Sequence, residues 1–167
     1  MNANRPTVRP TAERVRELLM YNEQTGVFTR RVSVNRFKAG QVAGTPHNNG
    51  YWSICVDGTK YLAHVLAWLY VYGEWPLQEV DHKDRTKTNN AISNLRQATS
   101  GENKQNISGP PAYSKSKILG ACWWRGAWQS HIKINGKQTY LGRFKTAEEA
   151  NEAYMTAKRI AHPFNMI

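Results

Sequence analysis

Cysteines and acidic residues are scarce in this chain of 167 residues, and it has no long apolar run. The two cysteines, Cys55 and Cys122, form no CxxC pair. They predict a reducing compartment without a disulfide framework, and we expect both to be buried as small apolar side chains. The longest apolar run, Val65 to Tyr72, is far shorter than the roughly 20 residues of a membrane span. Because the first residues also lack an apolar stretch of signal-peptide type, we expect a cytoplasmic protein with no membrane partner.

Basic residues dominate the two ends of the chain. Lys and Arg number 23 against 12 Asp and Glu, which gives a net charge of +11 and a pI of about 9.9. Residues 1–60 contain nine basic and four acidic residues, 61–110 five of each, and 111–167 nine and three. A neutral centre between basic flanks predicts that the flanks bind phosphates, as for double-stranded DNA. A membrane surface would attract the same charge.

The neutral centre contains the residues most typical of catalysis. Within 80–106, VDHKDRTKTNNAISNLRQATSGENKQN, Asp81 and His82 are adjacent, Asn94 follows His82 after twelve residues, and Asn103 comes nine later. Phosphodiester hydrolysis needs a hard cation and a base that works near neutral pH. Asp81 and Asn103 offer oxygen donors suited to magnesium or manganese, and His82 is the natural base. Asn94 can bridge the polar loop through its carboxamide.

The same segment predicts a strand, loop, strand and helix. The strands are expected at Glu79–His82 and Leu95–Ala98, followed by a short helix with Ser100 as its N-cap. Asn103 would then face Asp81 from the helix. These are the parts of a compact metal-dependent nuclease site.

This constellation resembles the HNH endonucleases, whose active site is a ββα-metal unit. The resemblance implies that His82 is the base, that Asp81 and Asn103 bind one divalent cation, and that Asn94 orients the loop. The third family position is often His, but Asn binds the metal in the His-Asn-Asn homing enzymes of phages. Zinc-stapled members carry paired CxxC motifs, so we expect no structural zinc here. A phage enzyme would act in the infected bacterial host cell.

Plainer interpretations exist for several residues of this region. The run DHKDRTKTNN can form a solvated loop whose Asp and Asn residues make turns. Asp84, Asn89 and Asn90 are interpreted as such turn formers or as incidental phosphate neighbours. Arg96 either contacts the scissile phosphate or solvates its strand. His64 is a packed, hydrogen-bonded scaffold residue or a phosphate contact.

The residues before the motif predict a supporting scaffold. They indicate a helix from Thr11 to Met20, a strand from Gly26 to Val34, a hairpin across Gly50–Ala63 and a buried helix from His64 to Tyr72. The segment GYWSICVDGTKYLAHVLAW resembles the region ahead of the HNH motif in phage homing endonucleases. We therefore predict a scaffold and nuclease domain over residues 1–107.

A second domain is predicted after a linker at 108–117, which is rich in Ser, Pro and Lys. Residues 118–167 predict strands at Gly120–Trp124, Trp128–Ile134 and Gln138–Phe144, with a turn at Asn135-Gly136, and then a helix. The Thr146 and Glu149 pair marks the start of this helix as a capping box. The fold class is therefore α+β, with a ββα-metal unit on a helix and hairpin scaffold, then a three-stranded antiparallel sheet plus helix.

The second domain resembles the plant ethylene-response-factor (Apetala-two) type of DNA-binding domain, which is also found attached to phage HNH nucleases. The resemblance rests on the opening Gly120 to Trp124, Trp128, the strands HIKINGKQTYLGRF and the helix start TAEEANEAY. It implies a sheet that enters the major groove. Packing and turn solvation are the alternatives for individual residues. The candidate DNA contacts are Trp123, Trp124, Arg125, Lys133, Lys137 and Arg143.

Together these patterns predict a metal-dependent DNA endonuclease of homing type, active as a monomer that nicks its site. One HNH unit has one base and one metal site, and no heptad seam suggests a dimer. The alternatives are a DNA-binding regulatory protein with a vestigial nuclease site and a nonspecific defence nuclease.

Overall fold

The computed structural model describes residues 8–106, 109–110, 114, 116–134 and 136–162, without the side chain of Gln105. They form two compact units, one ending at Thr99 and the other beginning at Ser100. Half of the predicted linker lies outside the described residues, and the predicted division at 107 and 118 stays a proposal. No described helix is long and apolar enough to cross a membrane. The elements are α1 (Ala12–Leu18), β1 (Leu19–Tyr21), β2 (Phe28–Arg30), β3 (Thr45–Pro46), β4 (Trp52–Val56), β5 (Thr59–Leu62), α2 (Ala63–Tyr72), β6 (Glu79–His82), a 3-10 turn (Ile92–Asn94), β7 (Leu95–Ala98), α3 (Ser100–Gln105), β8 (Cys122–Trp124), β9 (Ala127–Ile134), β10 (Lys137–Phe144) and α4 (Ala147–Ala161).

The first helix and strand differ from the predicted bounds. Thr11 caps α1 by accepting a hydrogen bond from the Arg14 N–H at 3.2 Å. The helix ends before Leu19, because residues 19–21 pair with β2 in an antiparallel ladder. The strand predicted from Gly26 to Val34 is limited to Phe28–Arg30, since only these residues have a strand partner in β1.

The first unit is organised around α2. A turn at Asp57 and Gly58, both with positive φ, joins β4 to β5 as the Asp-Gly pair predicts. Helix α2 ends at Gly73, which adopts the left-handed conformation. Because α2 is apolar on nearly every side, it is buried against the surrounding elements. The resulting core is shared by all three small sheets and consists of Ala12, Val15, Leu19, Phe28, Ala43, Ile54, Val56, Ala63, Leu66, Ala67, Leu69, Val80 and Leu95.

The strands of the motif hairpin lie where the sequence predicts them. The antiparallel pair β6 and β7 places Asp81 opposite Arg96 and His82 opposite Leu95. Helix α3 begins at Ser100 itself, one residue earlier than a helix with Ser100 as its N-cap would begin.

The second unit contains a sheet of order β8-β9-β10 with α4 packed on one face. Thr146 and Glu149 form the predicted capping box at the start of α4. A small cluster of Ala121, Ala147 and Ala150 holds helix and sheet together, with Trp128 and Phe144 packed against it. The predicted turn residue Asn135 lies outside the described part of the chain.

The expectation that both cysteines are buried is wrong. Cys55 and Cys122 are exposed and free. In each case the strand places the residue on its solvent side, between neighbours that face the other way.

Candidate active site

Asp81 and His82 lie at the carboxyl end of β6 and are both buried. The Asp81 carboxylate faces Arg96 across the hairpin, and its Oδ2 accepts hydrogen bonds from Arg96 Nε at 3.1 Å and Nη2 at 2.9 Å. A buried carboxylate is costly without a charged partner, and this ion pair supplies one. Arg96 thus holds the predicted metal ligand in place, while its predicted phosphate contact stays a prediction.

The His82 imidazole is held by a residue that sequence reasoning missed. Its Nε2 lies 3.0 Å from Oδ1 of Asn90, and both residues are only 3% exposed. Because an amide oxygen only accepts, this orientation makes Nε2 the nitrogen that donates its hydrogen to Asn90. The sequence indicates a turn former or an incidental phosphate neighbour at Asn90. Nothing in the sequence separates it from Asn89 beside it, and only the fold buries one and not the other.

A network of short contacts around Asn94 fixes the loop that follows His82. Asn94 Nδ2 donates to Asp84 Oδ1 at 2.9 Å and to the Asn89 carbonyl at 2.8 Å, while Asn94 Oδ1 accepts from the Asp84 N–H at 3.0 Å. The Asn94 carbonyl also accepts from the Lys83 N–H at 2.8 Å. Although burial acts to raise it, hydrogen bonds from Asn89, Thr86 and Asn94 hold the pKa of Asp84 below its ordinary value. This is the bridging geometry expected of Asn94, whose part in catalysis stays a prediction.

The wall of the site behind His82 is aromatic and buried. The His64 and His82 ring centroids are 4.9 Å apart in an edge-on arrangement, and Tyr51 contacts both rings. Burial, followed by the charge of His82, lowers the pKa of His64 to about 3. Burial, with Asp81 and Glu79 adding to it, raises the pKa of Tyr51. His64 is therefore a packed scaffold residue, although no described residue bonds its Nδ1.

The scaffold clamps the loop that carries Asn90. The Tyr21 hydroxyl donates to the Asn90 carbonyl at 2.6 Å, and the Ile92 N–H donates to the Glu23 carbonyl at 3.0 Å. Gly26 packs so closely on the backbone of Asn90 and Ala91 that a Cβ at this position would lie 2.3 Å from it. The turn between β1 and β2 therefore sets the position of the His82 partner.

The predicted metal ligands belong to different units. Asp81 lies on β6 in the first unit, and Asn103 lies on α3 in the second, so a shared metal site stays a prediction. Within the described residues, no group of three or more His, Cys, Asp or Glu side chains that could hold a metal ion is found. The donors that the motif offers are a carboxylate and a carboxamide oxygen, which suit a hard cation such as magnesium or manganese.

The register of the second unit sorts the predicted DNA contacts by face. Residues directly opposite one another in an antiparallel pair lie on one face of the sheet. Trp123 pairs with Trp128 and Lys137 with Ile134, which puts both on the face that α4 covers. Trp124, Lys133 and Arg143 lie on the opposite, outer face, and Arg125 lies in the β8–β9 turn. The pairing places further residues on this outer face that the sequence analysis did not select, among them Gln129, His131, Gln138 and Tyr140.

All the predicted contacts in the second unit are exposed. Trp123 and Trp124 are 54% and 57% exposed, which is unusual for large aromatic side chains. Arg143 Nη2 donates to the Arg125 carbonyl at 2.9 Å, so the two arginines are joined at one end of the sheet. The outer face is thus a cationic and aromatic surface.

Comparison with known proteins identifies the segment that contains the site. Residues 61–105 match the family model for HNH endonucleases. This HNH segment spans α2, the β6–β7 hairpin and α3, and contains Asp81, His82, Asn94 and Asn103.

A solved structure is also similar to the chain, that of DNA binding and cleavage by the HNH homing endonuclease I-HmuI. Its identity is 21% and its TM-score 0.42, with 81% of this chain and 76% of that chain covered. At that level the similarity says nothing about individual residues. No curated protein matches the chain. The match of residues 61–105 supports a nuclease, and the identity of the reacting groups follows only from the site.

Proposed function

We propose that the protein is a metal-dependent DNA endonuclease of homing type, acting in the cytoplasm of a phage-infected bacterium. The observation that carries the proposal is the buried pair Asp81 and His82 at the end of β6, within the HNH segment. Each of the two side chains has a fixed polar partner, Arg96 for the carboxylate and Asn90 for the imidazole. Such orientation is what a base and a metal ligand need.

His82 moves the proton in this proposal. Because Nε2 donates to Asn90, the basic lone pair of the imidazole is on Nδ1, which takes a proton from the attacking water. Asn94 and Asp84 keep the following loop rigid, so the backbone beside His82 does not shift when DNA binds. His64 stays neutral and adds no like charge when His82 becomes protonated.

Asp81 and Asn103 would hold one magnesium or manganese ion in this proposal. When bound, the cation would neutralise negative charge on the phosphate and the departing 3′ oxygen. The Asp81 carboxylate would be the charged ligand of this cation, and its hydrogen bonds with Arg96 keep it from rotating. Both donors are oxygens, so the set favours a hard cation, and we propose no structural zinc.

The second unit would supply affinity and register on double-stranded DNA. Its outer face combines Trp124, Lys133 and Arg143 with Arg125 at the edge, and positive charge of this kind neutralises phosphates. We place Trp123 and Lys137 at the rim of the contact, because they share the face of α4. A single active site fixed by such an asymmetric surface would cut one strand, as a monomer, leaving 5′-phosphate and 3′-hydroxyl ends.

Cleavage of end-labelled duplex DNA from the neighbouring genome tests the proposal. We expect the protein to nick this DNA with magnesium or manganese and not to cut it with chelator. His82→Ala should lower the cleavage rate about 10²- to 10⁴-fold. Asp81→Ala should lose activity as well, while both variants still bind DNA. His47→Ala changes an exposed histidine and serves as the matched control.

The outcomes separate this function from its alternatives. Binding at a defined site without any cleavage would indicate a regulatory protein with a vestigial site. Cleavage without site preference would indicate a nonspecific nuclease. Full activity of His82→Ala would remove His82 as the base, and simultaneous cuts in both strands by a stable dimer would remove the nickase.

A further inference from the structure

Arg30 is the one basic residue of the segment 30–38 that is buried. Arg31, Arg36 and Lys38 share this segment, which contains no acid, and they are exposed. Arg30 is 9% exposed, and its Nε is buried with no hydrogen-bond partner. No described residue accepts a hydrogen bond from its guanidinium, which lies over the Phe37 ring at 4.3 Å. A buried cation without an acceptor is costly, so the site calls for an anion.

Arg30 lines a pocket of about 240 Å³, which we call the Arg30 pocket. Its walls include Arg14, Arg30, Phe37, Cys55 and Asp57. One water needs only about 10–15 Å³, so the pocket has room for a larger group. All of these residues belong to the first unit and lie outside the HNH segment.

The one acid of the pocket is already occupied. Asp57 accepts from Arg14 through both carboxylate oxygens, each at 2.9 Å. Arg14 also binds Glu17 at 2.9 Å. These bonds to Arg14 lower the pKa of Asp57 and balance its charge. Arg30 therefore has no counter-ion among the pocket residues.

A second cation lies on the same phenyl ring. The Arg36 guanidinium carbon is 5.2 Å from the Phe37 centroid, so two guanidinium groups share one ring. Arg36 thus adds a second positive charge near the Phe37 wall of the pocket, which favours an anion as its ligand. The backbone of Arg30 is fixed, because its N–H donates to Gln41 and its carbonyl accepts from Gly40, both at 2.8 Å. The cation is thus held in place before any ligand arrives.

We propose that the Arg30 pocket binds a phosphate oxyanion. Guanidinium groups bind phosphate through paired N–H donors, which no carboxylate of the described chain satisfies at Arg30. A phosphate of the DNA backbone and a free phosphate share this chemistry. Assigning it to the DNA backbone rests on the proposed function, and would place a fixed contact point away from the catalytic site.

The side-chain Nε–H resonance of Arg30 in the full-length, isotope-labelled protein reports directly on the pocket. Arg30→Lys assigns the signal, and the exposed Arg31 provides the control signal. The titrations are made in the presence of chelator, with inorganic phosphate or duplex DNA as the added ligand. We expect the Arg30 signal to shift until it saturates, and the Arg31 signal to shift less. If only DNA shifts the Arg30 signal, the ligand is a phosphate of the DNA backbone. The same holds if DNA displaces bound inorganic phosphate from the pocket. A response to free phosphate that DNA leaves unchanged identifies a free anion. No response to either ligand overturns the proposal.

DNA affinity measured against salt gives a second, independent readout. For Arg30→Met we expect a Kd about tenfold weaker and a salt slope smaller by about one phosphate contact. Arg31→Met removes the same charge from the neighbouring exposed position and should weaken binding less. Equal losses in both variants, or none for Arg30→Met, overturn the assignment to DNA.

Failure of the pocket and failure of the nuclease remain distinguishable. Replacing an unpaired buried charge by an apolar side chain is often neutral or stabilising, so Arg30→Met should fold. If it does not, the resonance of the wild-type protein still decides the question. A wild-type protein that cuts no DNA but shows the Arg30 response would refute the nuclease and keep the phosphate site.

Discussion

Asn90 and Asn89 are adjacent and chemically identical, yet the structure gives them different tasks. Asn89 Nδ2 donates to Asp84 within the exposed loop, whereas Asn90 is buried and bonded to His82. A catalytic imidazole needs such a partner to fix its tautomer and its orientation. We therefore regard Asn90 as a positioning residue for the proposed base.

Asn90→Ala tests this role. Removing the amide leaves His82 Nε2 without its acceptor, and losing a group that orients an imidazole typically lowers activity about 10- to 100-fold. We expect single-turnover cleavage to slow by that factor while the Kd for DNA stays unchanged. Asn48→Ala, at an exposed position, is the control. A variant that cleaves at the wild-type rate would show that Asn90 does not orient the base.

The buried His64 predicts a specific loss of stability in acid. Burial holds its folded pKa near 3, whereas the unfolded value is 6.5. Between these values the unfolded chain binds a proton that the folded chain does not, so the free energy of unfolding falls as pH falls. From pH 7 to pH 5 this one group should lower it by about 2 kcal/mol.

Urea unfolding at both pH values measures the effect. His64→Leu should lose less stability between pH 7 and pH 5 than the wild type, because the titrating group is gone. His47→Leu should behave like the wild type, since His47 is exposed. Identical pH dependence in wild type and His64→Leu would exclude His64 as the cause.

At the scale of elements, the β1–β2 turn sets the geometry of the active-site loop. Gly26 has a φ of +71° and lies against the Asn90–Ala91 backbone, whereas Gly58 has a φ of +84° with open space around it. Both positions disfavour a side chain through backbone strain alone, which costs about 1 kcal/mol. Only a side chain at position 26 would also collide with the loop that holds His82.

Comparison of Gly26→Ala with Gly58→Ala separates these two effects. We expect Gly58→Ala to lower the free energy of unfolding by about 1 kcal/mol and to leave cleavage intact. Gly26→Ala should lower it further and slow cleavage, because Asn90 must move away from His82. Equal stability and equal cleavage rates in the two variants would show that the turn does not position the loop.

Within the first unit, two strands have the predicted bounds and one is much shorter than predicted. The bounds of β6 and β7 follow from two short segments that flank a polar, turn-forming loop, and the structure confirms both. The run from Gly26 to Val34 has similar strand propensity, but only three of its residues pair with another strand in a ladder. Pairing depends on a second segment, and propensity does not contain that information.

At the scale of the whole molecule, we expect DNA cleavage and DNA recognition to belong to different parts of the chain. The core of the first unit is formed by residues 12–95 alone, so a chain ending at Ser108 should fold without the second unit. We expect it to bind DNA weakly and with poorer site preference than the full chain. The segment from Lys117 onward should bind DNA with an affinity that falls steeply as salt rises.

Gel shifts of both fragments over a range of salt concentrations measure this division. Lys133→Gln within the full chain is a point-variant control, and it should weaken binding while cleavage of saturating DNA persists. A fragment ending at Ser108 that keeps full affinity and preference would show that the outer face of the second unit does not read DNA.

The sequence by itself determined the residue types of the site, their order and the strands that carry them. Asp81, His82 and Asn94 could be selected because their spacing is fixed by a short hairpin, and local spacing is a property of the chain. Only the tertiary structure decided that Asn90 contacts His82, that Arg96 holds Asp81, and that Arg30 Nε is buried with no hydrogen-bond partner among the described residues. Burial and pairing depend on which distant segments pack together, and the same asparagine or arginine reads identically in the sequence whether it faces solvent or the core.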